Sequence, residues 1–374
     1  MSSGISTSRD DASQHGWQYR LHIDAPLLVA LIGVSAIGLL VLYSAGGRDM
    51  DLIVRQLLRL SLAFAAMIAA AQVTPRMLQR MTPWVFAAGI LLLLAVLVEG
   101  EISSGAQRWL DLYIIRFQPS EIMKLAVPMM VAWYLADASL PPNRFQLLAS
   151  IVMTIVPTLM IVKQPDLGTA LLIACAGFFA LFLAGLQWRL LFVLTALATT
   201  AAPLLWHFMH DYQRQRVITF LNPQNDPLGT GYHIIQSEIA IGSGGLFGKG
   251  WLNGTQSQLD FLPERSTDFI FAVLSEEFGF IGIMVLFAFY VVIVVRGIFI
   301  AIQAQDTYTR LLAGSLAMTF FVYVIVNTGM VSGLLPVVGV PLPMISYGGT
   351  SIVTLMAGFG ILMSIQTHRK LLPT

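Results

Sequence analysis

Long apolar runs alternate with short polar interruptions along this chain, and most runs are too long for a soluble core. About 20 apolar residues of helix match the ~30 Å hydrocarbon core of a bilayer. Ten such runs lie near 24–45, 55–72, 83–98, 119–136, 147–163, 168–185, 189–208, 268–296, 310–331 and 344–365. The pattern predicts an all-α, polytopic integral membrane protein of ten transmembrane helices. A polar segment 1–23 precedes a single ten-span domain 24–374, and one long polar stretch, 209–267, separates spans seven and eight. An even count puts both ends on one side. The eighth run, Asp268 to Arg296, amounts to about 44 Å of helix at ~1.5 Å per residue, so it must protrude or bend, and Gly279 and Gly282 are the expected bend points.

Composition agrees with a lipid solvent. Of 374 residues 56% are hydrophobic and 11% charged, against about a quarter charged in soluble domains. With the termini inside, ten Lys or Arg fall to inner segments and six to short outer loops, which places the termini in the cytoplasm. Segment 1–23 lacks the basic-then-apolar order of a cleavable signal, so the first run is expected to stay as an anchor. A net charge of +1 without a basic tail gives no case for nucleic acid as a partner. The single cysteine, Cys175, excludes an internal disulfide and disfavours a cysteine metal site.

The candidate chemistry lies in a few isolated charges. In "RFQPSEIMKLAVP" Glu121 sits in a helical first turn, where an acid suits the dipole, and Lys124 follows on the same face inside apolar sequence. An ammonium there needs a partner or an aqueous cavity, and Glu121 is one such partner. Asp166 in "VKQPDLGTALL" fits a helix cap or a site, and Lys163 stands just before it. Arg108 stands beside Trp109, an ordinary interfacial residue. Arg214 and Arg216 lie in a surface-helix pattern that could also hold an anionic head group. "GSGGLFGKG" fails as a nucleotide loop, because Ser243 and Gly250 occupy positions that need Gly and Ser/Thr; a cover or a backbone-amide nest remains open. In "FLPERSTDFIFAVLSEE" a cap accounts for Asp268 but not for Glu276 two turns on. Charges at one membrane depth point to one site.

"NTGMVSGLLPVVGVPLPMISYGGTS", 327–351, resembles the signature of the SEDS family (shape, elongation, division and sporulation). "AQRWL", "FQPSEIMKLAVP", "KQPDLGTALL", "GYHIIQS" and "FLPERSTDFIFAVLSEE" extend the resemblance over nearly the whole chain, and "FLPER" with "VVGVPLPMISYGGTS" is similar to the elongation-type branch. The resemblance implies ten spans with cytoplasmic termini in a bacterial inner membrane. It implies a peptidoglycan glycosyltransferase that polymerises lipid II at the outer face, releasing undecaprenyl pyrophosphate. Implied partners are a class B penicillin-binding protein transpeptidase and other elongation-complex proteins. Asp268 matches the family's essential carboxylate; Glu121, Lys124, Asp166 and Trp109 match other sensitive positions, and Ser346 of the "SYGG" segment is expected to face substrate.

The expected roles follow. Inversion at the donor sugar needs a base on one face, assigned to Asp268, and charge stabilisation of the leaving group on the other, assigned to Lys124 assisted by Arg108 or Arg214. Glu121 orients Lys124, and Asp166 is a candidate ligand for Mg²⁺ or Mn²⁺ on the pyrophosphate. No organic cofactor is expected, since the lipid carrier supplies the activated leaving group. A lipid flippase or transporter and a non-catalytic scaffold are the competing readings.

Overall fold

The computed structural model describes residues 21–103, 106–111, 116–186, 211–225, 229–258 and 264–369, with single helical positions at 192, 196 and 200. The expected seventh span, 189–208, lies almost wholly outside these residues. The helices are α1 (Ala25–Ala45), α2 (Met50–Gln72), α3 (Pro75–Glu99), α4 (Pro119–Leu135), α5 (Arg144–Lys163), α6 (Leu167–Leu183), α7 (Asp211–Leu221), α8 (Thr230–Gly244), α9 (Thr255–Gln258), α10 (Ile270–Gln303), α11 (Thr307–Val331) and α12 (Thr350–Thr367). Side-chain caps start several of them: Asp24, Thr74, Asn143, Asp166 and Asp306 each accept from an amide three residues on. Seven helices (α1, α2, α3, α5, α10, α11 and α12) are long and apolar enough to cross a membrane, and α6 is a shorter apolar helix.

One expectation needs correction. The protein is mostly helical rather than all-α, because β1 (Glu101–Ser103), β2 (Ala106–Asp111) and β3 (Arg116–Phe117) form a small antiparallel sheet in the order β1-β2-β3. Strands this short escape a search for helix-length apolar runs. Within 209–267 the described residues carry α7, a 3-10 turn at Pro223–Asn225, α8 and α9, with Gly229 and Gly245 at the two ends of α8.

α11 is the central helix, packed against α4, α6, α10 and α12, and 78% of its apolar window is buried. α2 and α12 form the closest pair, and Asp24 ties the start of α1 to Arg296 late in α10 at 2.7 Å. Outward-facing side chains such as Trp84 (79% exposed) are apolar, as a lipid solvent allows.

The eighth run bends. At Gly279 (φ 63°, ψ −161°) α10 leaves helical geometry, and the 244–250 loop lies in the gap. Lys249 N donates to Glu276 O and Gly250 N to Glu277 O, both at 3.0 Å; Phe280 N donates to Gly245 O and Ile281 N to Leu246 O, at 2.9 and 3.2 Å. Unpaired backbone groups at membrane depth cost several kcal/mol each, so the loop restores what the break removes. Glu276, fully buried, fastens the loop by accepting from Lys249 Nζ at 2.7 Å, from Thr255 N and Oγ1 at 2.9 Å, and from Gln256 N. The glycine stretch is therefore not an anion nest, since the amides of Gly248, Lys249 and Gly250 donate to carbonyls. Nor is Glu276 a substrate-facing acid.

Gly248 has φ +76°, and a Cβ there would stand 2.1 Å from Glu277 O. Gly248→Ala should cost about 1–3 kcal/mol. The measurement is thermal melting in detergent with limited proteolysis around Lys249, and unchanged melting and cleavage would contradict a docked loop.

Candidate active site

The segment before α10 cannot cap itself, because Phe269 offers no side-chain cap to that helix. Its backbone is held instead by the 327–347 stretch, which supplies one donor to each of three successive carbonyls. Tyr347 N donates to Ser266 O at 2.8 Å, Ser346 Oγ to Thr267 O at 2.6 Å, and Asn327 Nδ2 to Asp268 O at 2.9 Å. Asn327 Nδ2 also reaches Val340 O at 2.7 Å, and Leu342 N donates to Ser346 Oγ at 2.8 Å. The Asp268 carboxylate is left partly exposed, with Oδ2 3.5 Å from the place a Cβ would take on Gly339.

The same loop reaches α6. A Cβ on Gly168 would be 2.7 Å from Val338 O, so the caps of α6 and α10 flank residues 338–340. Asp166 accepts from Thr169 N at 3.1 Å and Gln118 Nε2 at 3.0 Å, and Arg108 Nε stands 3.8 Å away. Arg108 also donates to Pro165 O. Trp109, partly buried, lies next to it on β2.

Lys124 is 7% exposed and donates to Glu121 (3% exposed) at 2.6 Å. The Tyr323 ring centroid lies 5.4 Å from its ammonium. The cluster joins α4 to α11 beside a cavity of about 30 Å³ that residues of α12 also line.

A sequence model of the FtsW/RodA/SpoVE family, described as "Cell cycle protein", matches residues 24–371. The chain belongs to that family. It is 52% identical over 364 residues, 97% of this chain and 98% of the relative, to the peptidoglycan glycosyltransferase MrdB of Escherichia coli K12. Among solved structures it is similar to a chain of a structure described as "Structural coordination of polymerization and crosslinking by a peptidoglycan synthase complex" (TM-score 0.81, 30% identity, 93% of this chain and 98% of that one). It is also similar to the Thermus thermophilus rod shape determining protein RodA (TM-score 0.70, 28% identity, 93% and 98%).

Within this family member the expected site residues separate. Asp268, Asp166 and Arg108 come to one loop, 338–340, and its neighbours. Glu121 and Lys124 form an inner pair whose ammonium already has its counter-charge, so direct contact with a pyrophosphate is not what this geometry offers. Ser346 is 1% exposed with its hydroxyl engaged on Thr267 O and Leu342 N, which makes it a clamp and not a substrate contact. Arg214 lies on α7, which packs chiefly on α8 and the adjoining 3-10 turn, and Lys163 is exposed at the end of α5. Asp166 Oδ1 and Oδ2 already accept from Thr169 N and Gln118 Nε2, and among the described residues no three His, Cys, Asp or Glu side chains converge. No catalytic step is therefore assigned to a metal.

Sequence reading missed Asn327, although it opens the 327–351 motif, and Tyr323, which looks like any apolar-face aromatic.

Removing one member of a buried ion pair costs about 3–5 kcal/mol by stranding the other charge. Lys124→Met alone should therefore melt far lower than the Glu121→Gln/Lys124→Met double variant, in a thermal series where the double variant would lose the sum of the two single losses were the pair not coupled. Ser346→Ala should leave the lipid II KM within a few-fold and lower kcat about 10- to 100-fold, since small misplacement of a reacting group carries such costs. Full activity in a gel-based polymerisation assay would rule the clamp out.

Proposed function

We propose that this chain is the elongation-type polymerase of peptidoglycan glycan strands, using lipid II as both donor and acceptor. The observation that carries the reading is Asp268: a partly exposed carboxylate whose backbone is fixed by three bonds from the 327–347 loop. Its family relative, MrdB, is named a peptidoglycan glycosyltransferase.

The chemistry is an inverting displacement. The acceptor C4 hydroxyl oxygen forms a bond to donor C1 while the C1–oxygen bond to pyrophosphate breaks. The electron pair leaves with undecaprenyl pyrophosphate, and the acceptor proton passes to Asp268. A positioned base contributes about 10²–10⁴ in rate. The Asp166–Arg108–Gln118 group, on the other side of residues 338–340 from Asp268, suits recognition of polar substrate groups. Glu121, Lys124 and Tyr323 act from within, holding α4 and α11 in register.

The architecture that goes with this function has ten spans in the bacterial inner membrane, both termini in the cytoplasm, and the 209–267 segment with Asp268 at the outer face. There the lipid-borne substrate is presented and a class B penicillin-binding protein crosslinks the product; other elongation-complex proteins complete the assembly. The structural likeness to a chain of a synthase complex that couples polymerisation with crosslinking supports such a partner.

Purified protein with its transpeptidase, given lipid II in detergent, should yield glycan ladders on a gel. Asp268→Asn should lower polymer at least 100-fold while melting normally. Polymer at the wild-type rate from that variant would remove Asp268 as the base.

A further inference from the structure

A cavity of about 410 Å³ lies at the end of the bundle remote from Asp268. Ligand sites usually measure about 300–1,000 Å³. Its walls come from three places: the α2–α3 turn (Thr74, Arg76), the α10–α11 turn (Asp306, Thr309) and the end of α12 (His368, Arg369). Thr309 in its wall and Asn327, which holds Asp268 O, stand about 27 Å apart along α11. The polymerase mechanism gives this end of the molecule no role.

Charges of both signs line this cavity without pairing to one another. No ion pair or hydrogen bond joins the Arg76 side chain to another described residue, and Asp306 accepts from Thr309 N at 2.9 Å through Oδ1 alone. Arg76 stands in the first turn of α3, where a cation opposes the helix dipole, so stability of that helix does not account for it. Arg369 donates through Nη1 to Gln303 Oε1, yet its Nε is closed from solvent and finds no acceptor among the described residues. A closed-off charged donor is costly until an acceptor reaches it. His368 forms a fixed wall, with its ring stacked on His22 at 3.9 Å between centroids and its Nδ1 3.0 Å from Ser364 O. Close in chain to these walls, Met77 and Ile302 are 53% and 74% exposed, as side chains against lipid are.

We propose that this cavity seats the phosphoethanolamine group of a membrane phospholipid, with its phosphate on Arg76 and Arg369 and its ammonium on Asp306. Guanidinium groups match phosphate oxygens, and the carboxylate oxygen that the helix cap does not use can accept from an ammonium. A simple anion would leave Asp306 facing like charge, and a simple cation would face two arginines. A zwitterion answers both signs. The exposed apolar side chains nearby suit the acyl chains that a lipid adds to such a group. In the orientation proposed above, the lipid belongs to the inner leaflet, where basic pockets between spanning helices suit head groups. Bound there, it links the α2–α3 and α10–α11 turns to the end of α12. The proposal does not depend on the polymerase reading.

Binding of phosphatidylethanolamine and phosphatidylglycerol to the full chain in detergent, read by native mass spectrometry, tests the assignment. Wild type should prefer phosphatidylethanolamine by about 10-fold. Asp306→Asn should erase that preference, and because Asn still offers an oxygen to Thr309 N, α11 keeps its cap. The Arg76→Gln/Arg369→Gln double variant should weaken both lipids about 10-fold, since both carry the phosphate. Arg310→Gln removes an exposed cation near the same end that does not line the cavity, and should bind like wild type. Equal binding of the two lipids by wild type would overturn the proposal, as would a preference that survives Asp306→Asn. A loss in Arg310→Gln equal to that of the double variant would mark general surface charge and overturn it too. Soluble phosphoethanolamine at equal concentration should not displace the lipid; displacement would overturn the lipid assignment and give the site to a free ligand.

Discussion

Three successive carbonyls, of Ser266, Thr267 and Asp268, each receive a hydrogen bond from outside their own segment. Much of the site's geometry depends on that clamp. A helix start with no side-chain cap normally leaves its first turn to water, and water is scarce at membrane depth. Here the donors come from the end of α11 and the loop before α12. The position of the carboxylate is thus a property of two distant stretches of chain together, and a loop dense in glycine and proline can hold it without a rigid helix of its own.

The same constraint shapes the break in α10. A continuous helix satisfies its backbone without help, so a break within a span is tolerated only where other protein supplies the missing partners. The 244–250 loop supplies four hydrogen bonds there, and the buried Glu276 carboxylate anchors it through Lys249, Thr255 and Gln256. Glu276 is thus a structural acid at the very place where sequence pattern invites a catalytic one. Burial tells the two acids apart: Glu276 is fully buried among donors, whereas Asp268 is partly exposed.

Apolar run length was enough to locate the long helices, because bilayer thickness imposes a length that any spanning sequence must show. It could not find β1 to β3, whose pairing is a matter of backbone register, nor α8, where glycines that end helices resemble glycines of a loop; α7 was legible in the surface-helix pattern around Arg214 and Arg216. Asp268, Asp166 and Lys124 stood out as charges in apolar sequence. Of their partners only Glu121 did. Asn327, Tyr323 and Tyr347 differ little in pattern from core residues, and what they do depends on three-dimensional contacts across 59 residues or more in the case of Asn327 and Asp268. Ser346 illustrates the converse, a polar residue in a motif that faces inward to the chain itself.

Low dielectric then divides the charges between two tasks. A charge inside the bundle is stable when its partners are complete, and such a group has nothing left to offer a substrate; Lys124 with Glu121 and Lys249 with Glu276 are of this kind. A charge with incomplete partners raises the energy of the empty site and lowers it again when a complementary group arrives, so the binding of that group is favoured by what the protein itself lacks. Arg369, whose Nε is closed from solvent and finds no acceptor among the described residues, is of the second kind.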